Sequence, residues 1–248
     1  MKKLLIKGGL MALSLCLGLP AGNAMAQDFS NVYVTPRIIY SKQSGDMDSV
    51  KWNEGGPYST SILSKDDSDN RLGFGISAGI DLEYEYAMPI RLELEYAYHG
   101  QGQFDSGWKQ YYAGGNDYRG KQSFKVQTHT FMVNGFYDIK TNGPVTPYVG
   151  GGIGMSYLKS KYKGTLNLNG TEGRVSKNTR DSQFAWNLGG GLAYQVNDIM
   201  AIDVGYRYYD FGEVDMSRFN VGYVGFSGKP SLDMSAHEFS VGLRFSSF

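Results

Sequence analysis

From Gln183 to Asp210 the chain alternates. Phe184, Trp186, Leu188, Gly190, Leu192, Tyr194 and Val196 hold the even positions, with Ala185, Asn187, Gly189, Gly191, Ala193 and Gln195 between them. After Asn197-Asp198 the pattern resumes: Met200, Ile202, Val204, Tyr206 and Tyr208 against Ala201, Asp203, Gly205, Arg207 and Tyr209. A period of two puts the two sets on opposite faces of a strand. One face is bulky and aromatic; the other is small or charged. A water-soluble sandwich would hide the bulky face. In a membrane barrel it meets lipid, and the small face lines a narrow lumen.

Six further segments read as strands. Val32 to Ser41 sets Val34, Pro36, Ile38 and Tyr40 against Thr35 and Arg37, with a bulge expected at Pro36, which lacks an N–H. Leu72 to Leu82 and Ile90 to His99 alternate cleanly, the latter with Arg91, Glu93 and Glu95 on one face. Phe124 to Ile139 changes phase: Phe124 and Val126 favour even positions outward, Phe131, Val133 and Tyr137 odd ones. A bulge near Thr128 to Thr130 would reconcile them. Pro147 to Leu158 and Glu238 to Phe245 complete the set. The connections alternate long and short, with Lys42 to Asn70, Gly100 to Ser123, Lys159 to Ser182 and Phe211 to Ser235 as the long ones. The pattern predicts an all-β, eight-stranded antiparallel up-and-down transmembrane β-barrel. Tight turns face the periplasm, four long loops face outward, and there is no helix.

Composition sharpens this reading. Lys2, Lys3 and Lys7, the apolar run Leu10 to Leu19, and Ala24-Met25-Ala26 form the three regions of a secretion signal. Residues 1–26 are therefore expected to be cleaved and 27–248 to be the barrel. The single cysteine, Cys16, lies inside the apolar run, and Leu15 before it is bulkier than a lipoprotein signal needs. Without the three leader lysines, 21 basic residues face 24 acidic ones, a net −3, so no basic excess points to nucleic acid. Nineteen tyrosines in a chain that is 14% aromatic suit interfacial girdles.

Asn134-Gly135-Phe136-Tyr137-Asp138, Thr146-Pro147-Tyr148-Val149 with Gly150 to Gly154, and Leu188-Gly189-Gly190-Gly191-Leu192-Ala193-Tyr194 running into Val204-Gly205-Tyr206-Arg207-Tyr208 resemble the opacity-type surface antigen and porin-like family of Gram-negative outer membranes. That resemblance implies residence in outer-membrane lipid, an OmpA-like eight-stranded barrel, and delivery by the barrel-assembly machinery. In such proteins that machinery reads the last strand. Here the signal would be Phe239, Val241, Leu243 and Phe245, with Phe248 beyond them and out of phase.

The candidate chemistry is sparse. Arg37, Asp81, Arg91, Glu93, Glu95, Asp203, Arg207, Glu238 and Arg244 fall on lumen faces. They would form either a plug of ion pairs, which buried charges require, or a gated conduit. His99, His129 and His237 lack metal-ligand spacing. His237-Glu238 with Ser240 invites comparison with lipid-modifying barrels but names no third residue. The glycines at 150–154 lie in a strand without a following helix, so they are no phosphate loop. Trp52, Trp108, Tyr111, Tyr112, Tyr118, Phe219, Tyr223 and Phe226 stand in polar loops and are candidate contact residues. The expectation is a monomeric, non-enzymatic surface protein without cofactor or metal, its loops meeting a host or surface ligand. A small porin and a lipid-modifying enzyme are the alternatives.

Overall fold

The computed structural model describes residues 31–47, 67–111, 117–168, 170–215, 219–221, 226–228 and 231–246. The expected leader (1–26), Trp52, Tyr112, Tyr223 and Phe248 lie outside them. The strands are β1 (Val32–Met47), β2 (Asp67–Asp81), β3 (Ile90–Tyr111), β4 (Asp117–Asp138), β5 (Val145–Leu168), β6 (Thr171–Asn197), β7 (Met200–Asp215) and β10 (Ser231–Ser246). Each pairs antiparallel with its neighbours, and β10 closes on β1 from Tyr33↔Ser246 to Met47↔Leu232. The result is an eight-stranded closed barrel with no free edge, as membranes require. A small hairpin, β8 (Phe219–Val221) with β9 (Phe226–Gly228), stands apart from the wall.

The period-two pattern is realised as an outward apolar band. Ile38, Phe74, Ile76, Val133, Ile153, Leu188, Val204 and Val241 are all exposed. Small or charged residues between them are buried in the lumen. Near the outer edge of this band two matching clusters occur. Tyr96 Oη meets His129 Nδ1 at 2.9 Å with Phe131 beside the tyrosine ring, and Tyr206 Oη meets His237 Nδ1 at 2.7 Å with Phe239 beside it. Amphipathic rings of this kind suit a lipid–water boundary.

Several local expectations are corrected. Most of the residues expected in the second and third long loops are strand: β3 runs on to Tyr111, β4 starts at Asp117, β5 runs to Leu168 and β6 starts at Thr171. Polar composition hid them because above the lipid the outward face is polar and the apolar positions turn inward. Trp108, Tyr111 and Tyr118 are therefore in the barrel wall, and Phe219 and Phe226 are in the small hairpin. The turn before β3 contains a one-turn helix, α1 (Glu83–Tyr86), where none was expected.

Pro36 causes no bulge. The β1–β10 pairing lapses at 35–36 and resumes in the same register, so the missing N–H removes ladder bonds without adding a residue. Nor does β4 bulge at Thr128 to Thr130. Its even positions face inward throughout, including Phe124 and Val126. The extra residues lie on β3 and β7 instead, at Gly100 (φ 82°) and Gly212 (φ 78°).

These two bulges match. Each flips the strand's phase: inward positions run 91 to 99 and then 102 and 104 on β3, and 201 to 211 and then 214 on β7. Each exposes a carbonyl that an inward side chain two strands away satisfies. Gln43 Nε2 donates to His99 O at 2.7 Å, and Ser156 Oγ donates to Phe211 O at 2.5 Å. A left-handed backbone with a neighbour this close requires glycine: a Cβ at Gly100 would lie 2.9 Å from the Leu72 carbonyl.

Candidate functional site: the filled lumen

The lumen has a polar lower tier. Glu95 on β3 lies between two arginines. Arg207 Nη1 donates to both its oxygens, at 2.8 and 3.1 Å, and Arg37 Nη1 lies 2.8 Å away as a charge contact outside hydrogen-bond geometry. Tyr209 adds a third partner at 3.0 Å. Arg37 also reaches Glu93 (3.0 Å) and Ser77 (2.9 Å). Arg91 grips Asp138 with two bonds of 2.7 and 2.8 Å, and its guanidinium lies over Phe136 and Tyr148. Tyr33 donates to Glu93 at 3.0 Å, and Tyr148 to Asp203 at 2.7 Å. Arg244 meets Asp203 at 3.1 Å. Four guanidiniums thus face four carboxylates in a tier that is almost wholly buried. Opposite charges attract strongly there, and each leaves the other costly to remove.

Of the nine candidate lumen charges, eight join this tier or its upper edge. Asp81 stands apart: it is at the periplasmic end of β2, where its carboxylate accepts from the Glu83 N–H at 2.9 Å and anchors α1. Asp138 takes the place beside Arg91. Sequence reasoning missed Asp138 because β4 had two candidate phases. Its shared parity with Asn134 and Phe136 was the usable signal.

His99 shares the inward parity of Arg91, Glu93 and Glu95 on β3, the signal that places it in the lumen. It lies between Glu238 (Nδ1 to Oε1, 2.7 Å) and Thr130 (Nε2 to Oγ1, 2.8 Å). A hydroxyl, an imidazole and a carboxylate in that order are the arrangement of a nucleophilic relay. Here all three are buried, and the rings of Tyr209 and Phe211 cover the imidazole at 5.1 and 4.8 Å. The His237-Glu238 pair does not form, because His237 faces lipid and Glu238 faces the lumen.

Above His99 the filling turns apolar. Phe104, Phe124, Val126, Leu158, Tyr162, Phe211, Val214, Leu232 and Met234 form one buried cluster inside the strand extensions. Burial pushes the Tyr162 phenol above its ordinary range. The apolar-outward rule therefore reverses above the membrane, where the outside is water. A groove of about 990 Å³ between Tyr137, Val149, Trp186, Leu188, Tyr206 and Tyr208 opens on the outer wall, at lipid level. Among the described residues no group of three His, Cys, Asp or Glu could hold a metal ion.

Phe239, Val241, Leu243 and Phe245 point outward on the closing strand. The side chains of Trp108, Tyr111, Tyr118, Phe219 and Phe226 are outside the described features.

Comparison with known proteins agrees with this architecture. The chain is 33% identical to the outer membrane protein PagN of Salmonella typhimurium over 94 residues, 38% of each chain. It is 26% identical to the opacity protein opA66 of Neisseria gonorrhoeae over 129 residues, 44% of this chain and 48% of that one. The matches thus span less than half the length of these curated relatives. Among solved structures, the outer membrane protease OmpT of Escherichia coli superposes with a TM-score of 0.51 at 8% identity, over 91% of this chain and 99% of that one, a likeness of fold alone. A family model described as an outer membrane protein beta-barrel domain matches residues 11–245. The chain belongs to that family and is a surface protein of the Gram-negative outer membrane.

Proposed function

We propose that this barrel neither conducts nor catalyses, and that it serves as a rigid pedestal whose raised strands meet a host or surface ligand. The observation that carries this reading is the two-tier filling of the lumen, a guanidinium–carboxylate network capped by a buried aromatic cluster. Eight-stranded barrels are narrow enough for side chains to fill. The upper tier supports the pedestal part. Beyond Tyr157, the last outward aromatic of β5, that strand continues for 11 residues to Leu168, roughly 35 Å along the strand. A cored extension of this kind holds its outer surface in one shape, which lowers the cost of binding. Phe239, Val241, Leu243 and Phe245 would present the outward pattern that assembly machinery reads.

Single-channel recording on the refolded protein tests the closed lumen. Silence is the expected outcome, and steady open conductance would favour a small porin. The specific observation for an enzyme is the Thr130–His99–Glu238 relay, so a fluorophosphonate probe is the matching test. No labelling at Thr130 is expected in the folded barrel; labelling lost in His99→Ala would overturn the non-enzymatic reading. Cell-binding assays with the 100–123 and 159–182 segments shortened would test the contact role, with loss of binding expected.

A further inference from the structure

Above the lipid band, the outer face of β4, β5 and β6 is strongly cationic. The alternation that buries Phe124, Val126, Leu158, Ser160 and Tyr162 turns Lys121, Lys125, Lys159, Lys161, Lys163 and Arg180 outward. The first row begins two residues beyond Tyr157 and His129, about 7 Å along the strands. There Lys159 lies directly opposite Arg180; in the next row Lys125 lies directly opposite Lys161. Like charges facing each other across a ladder repel. No carboxylate pairs with these cations among the described residues; Asp105 of β3, opposite Ser123, marks the margin of the patch. Arg174, at the far end, is already paired with Glu172 at 3.0 Å.

Acidic residues take over on the strands that follow β6 round the wall, from β7 to β1. Asp46, Asp233 and Glu213 are exposed and lie in one row across β1, β10 and β7. The basic surface is therefore one-sided, not a ring of interfacial anchors. It also continues, on the same strand faces, the apolar surface that meets lipid: Phe131, Val133, Ile153, Met155, Phe184 and Leu188.

We propose that this face docks the phosphorylated headgroups of outer-leaflet lipid. Cations spaced about 5 Å across strands and about 7 Å along them form a lattice on which a headgroup bearing two phosphates can bridge facing lysines and relieve their repulsion. The adjoining apolar wall receives the acyl chains. This inference rests on the outer-membrane placement and not on the closed lumen, so conductance results leave it untouched.

The test is lipid retention. The full-length protein in detergent is exposed to equal amounts of bisphosphorylated lipid A and its dephosphorylated form, re-purified, and its bound lipid quantified by mass spectrometry. The expected result is a preference of roughly tenfold for the phosphorylated lipid. That preference should collapse in ~1 M NaCl, where screening acts within a few ångströms. It should also collapse in a Lys125→Gln, Lys159→Gln, Lys161→Gln, Arg180→Gln variant and survive in a Lys42→Gln, Lys140→Gln control. Equal retention of the two lipids by the unmutated protein would overturn the proposal, as would a preference unmoved by salt. Tighter capture of heparin or inorganic phosphate than of lipid A would overturn the choice of a lipid partner.

Discussion

Glu95 receives charge from Arg37 of β1 and Arg207 of β7, so one carboxylate ties together strands on different sides of the barrel. Removing it leaves two buried guanidiniums short of a partner. Glu95→Ala is expected to cost about 3–5 kcal/mol, and Glu95→Ala with Arg207→Ala less than the sum of the two single changes. Urea unfolding in lipid vesicles measures both. On the lipid side the rule is different. Ile202→Arg and Val204→Arg should each cost about 2–4 kcal/mol, because they place a charge in the hydrocarbon layer. The glycines divide the same way. A methyl at Gly135 would have Leu92 as its nearest neighbour at 3.8 Å, whereas one at Gly154 would collide with the Phe131 carbonyl. Gly135→Ala should therefore be nearly neutral and Gly154→Ala clearly destabilising in the same assay. The reverse order would mean that the two faces had been exchanged.

At the scale of elements, the bulges decide where the lumen changes character. Below Gly100 and Gly212 the inward positions of β3 and β7 are odd and mostly polar; above them they are even and apolar. Gly100→Ala and Gly212→Ala each force a side chain into left-handed backbone beside a packed neighbour, with an expected cost of about 1–2 kcal/mol before any clash. Phe124→Ala and Phe211→Ala test the upper core. Each should cost about 3–5 kcal/mol if the extension unfolds together with the barrel. A smaller loss, with early proteolysis confined to residues 100–123 and 159–182, would mean that the extension opens by itself.

Across the whole molecule the two halves repeat. Tyr33 of β1 bonds an acid on β3, and Tyr148 of β5 bonds an acid on β7. Gln43 and Ser156 each satisfy the carbonyl of a bulge two strands on, and each half ends in a tyrosine–histidine cluster at the outer boundary. The repeated halves close into one wall when β10 meets β1, so unfolding has to break a complete ladder. The barrel is therefore expected to be heat-modifiable, with unboiled and boiled samples migrating differently in detergent gels. Identical migration of an assembled preparation would contradict the closed wall.

The eight strands, their order and the lipid-facing set were legible in the sequence, because lipid and lumen impose a period of two on every residue between them. Val204 and Arg207 could be assigned to opposite faces from parity alone. Parity does not say which charge meets which. Asp138 rather than Asp81 holds Arg91, and His99 joins Glu238 from a strand 139 residues away, because those choices depend on tilt and register around a closed wall. The raised strands were illegible for a related reason. Above the membrane the outer medium becomes water, so Lys159, Lys161 and Lys163 read as loop while they alternate with a buried core. Only the tertiary structure, by placing Phe124, Tyr162 and Phe211 together, decided that these polar stretches are wall.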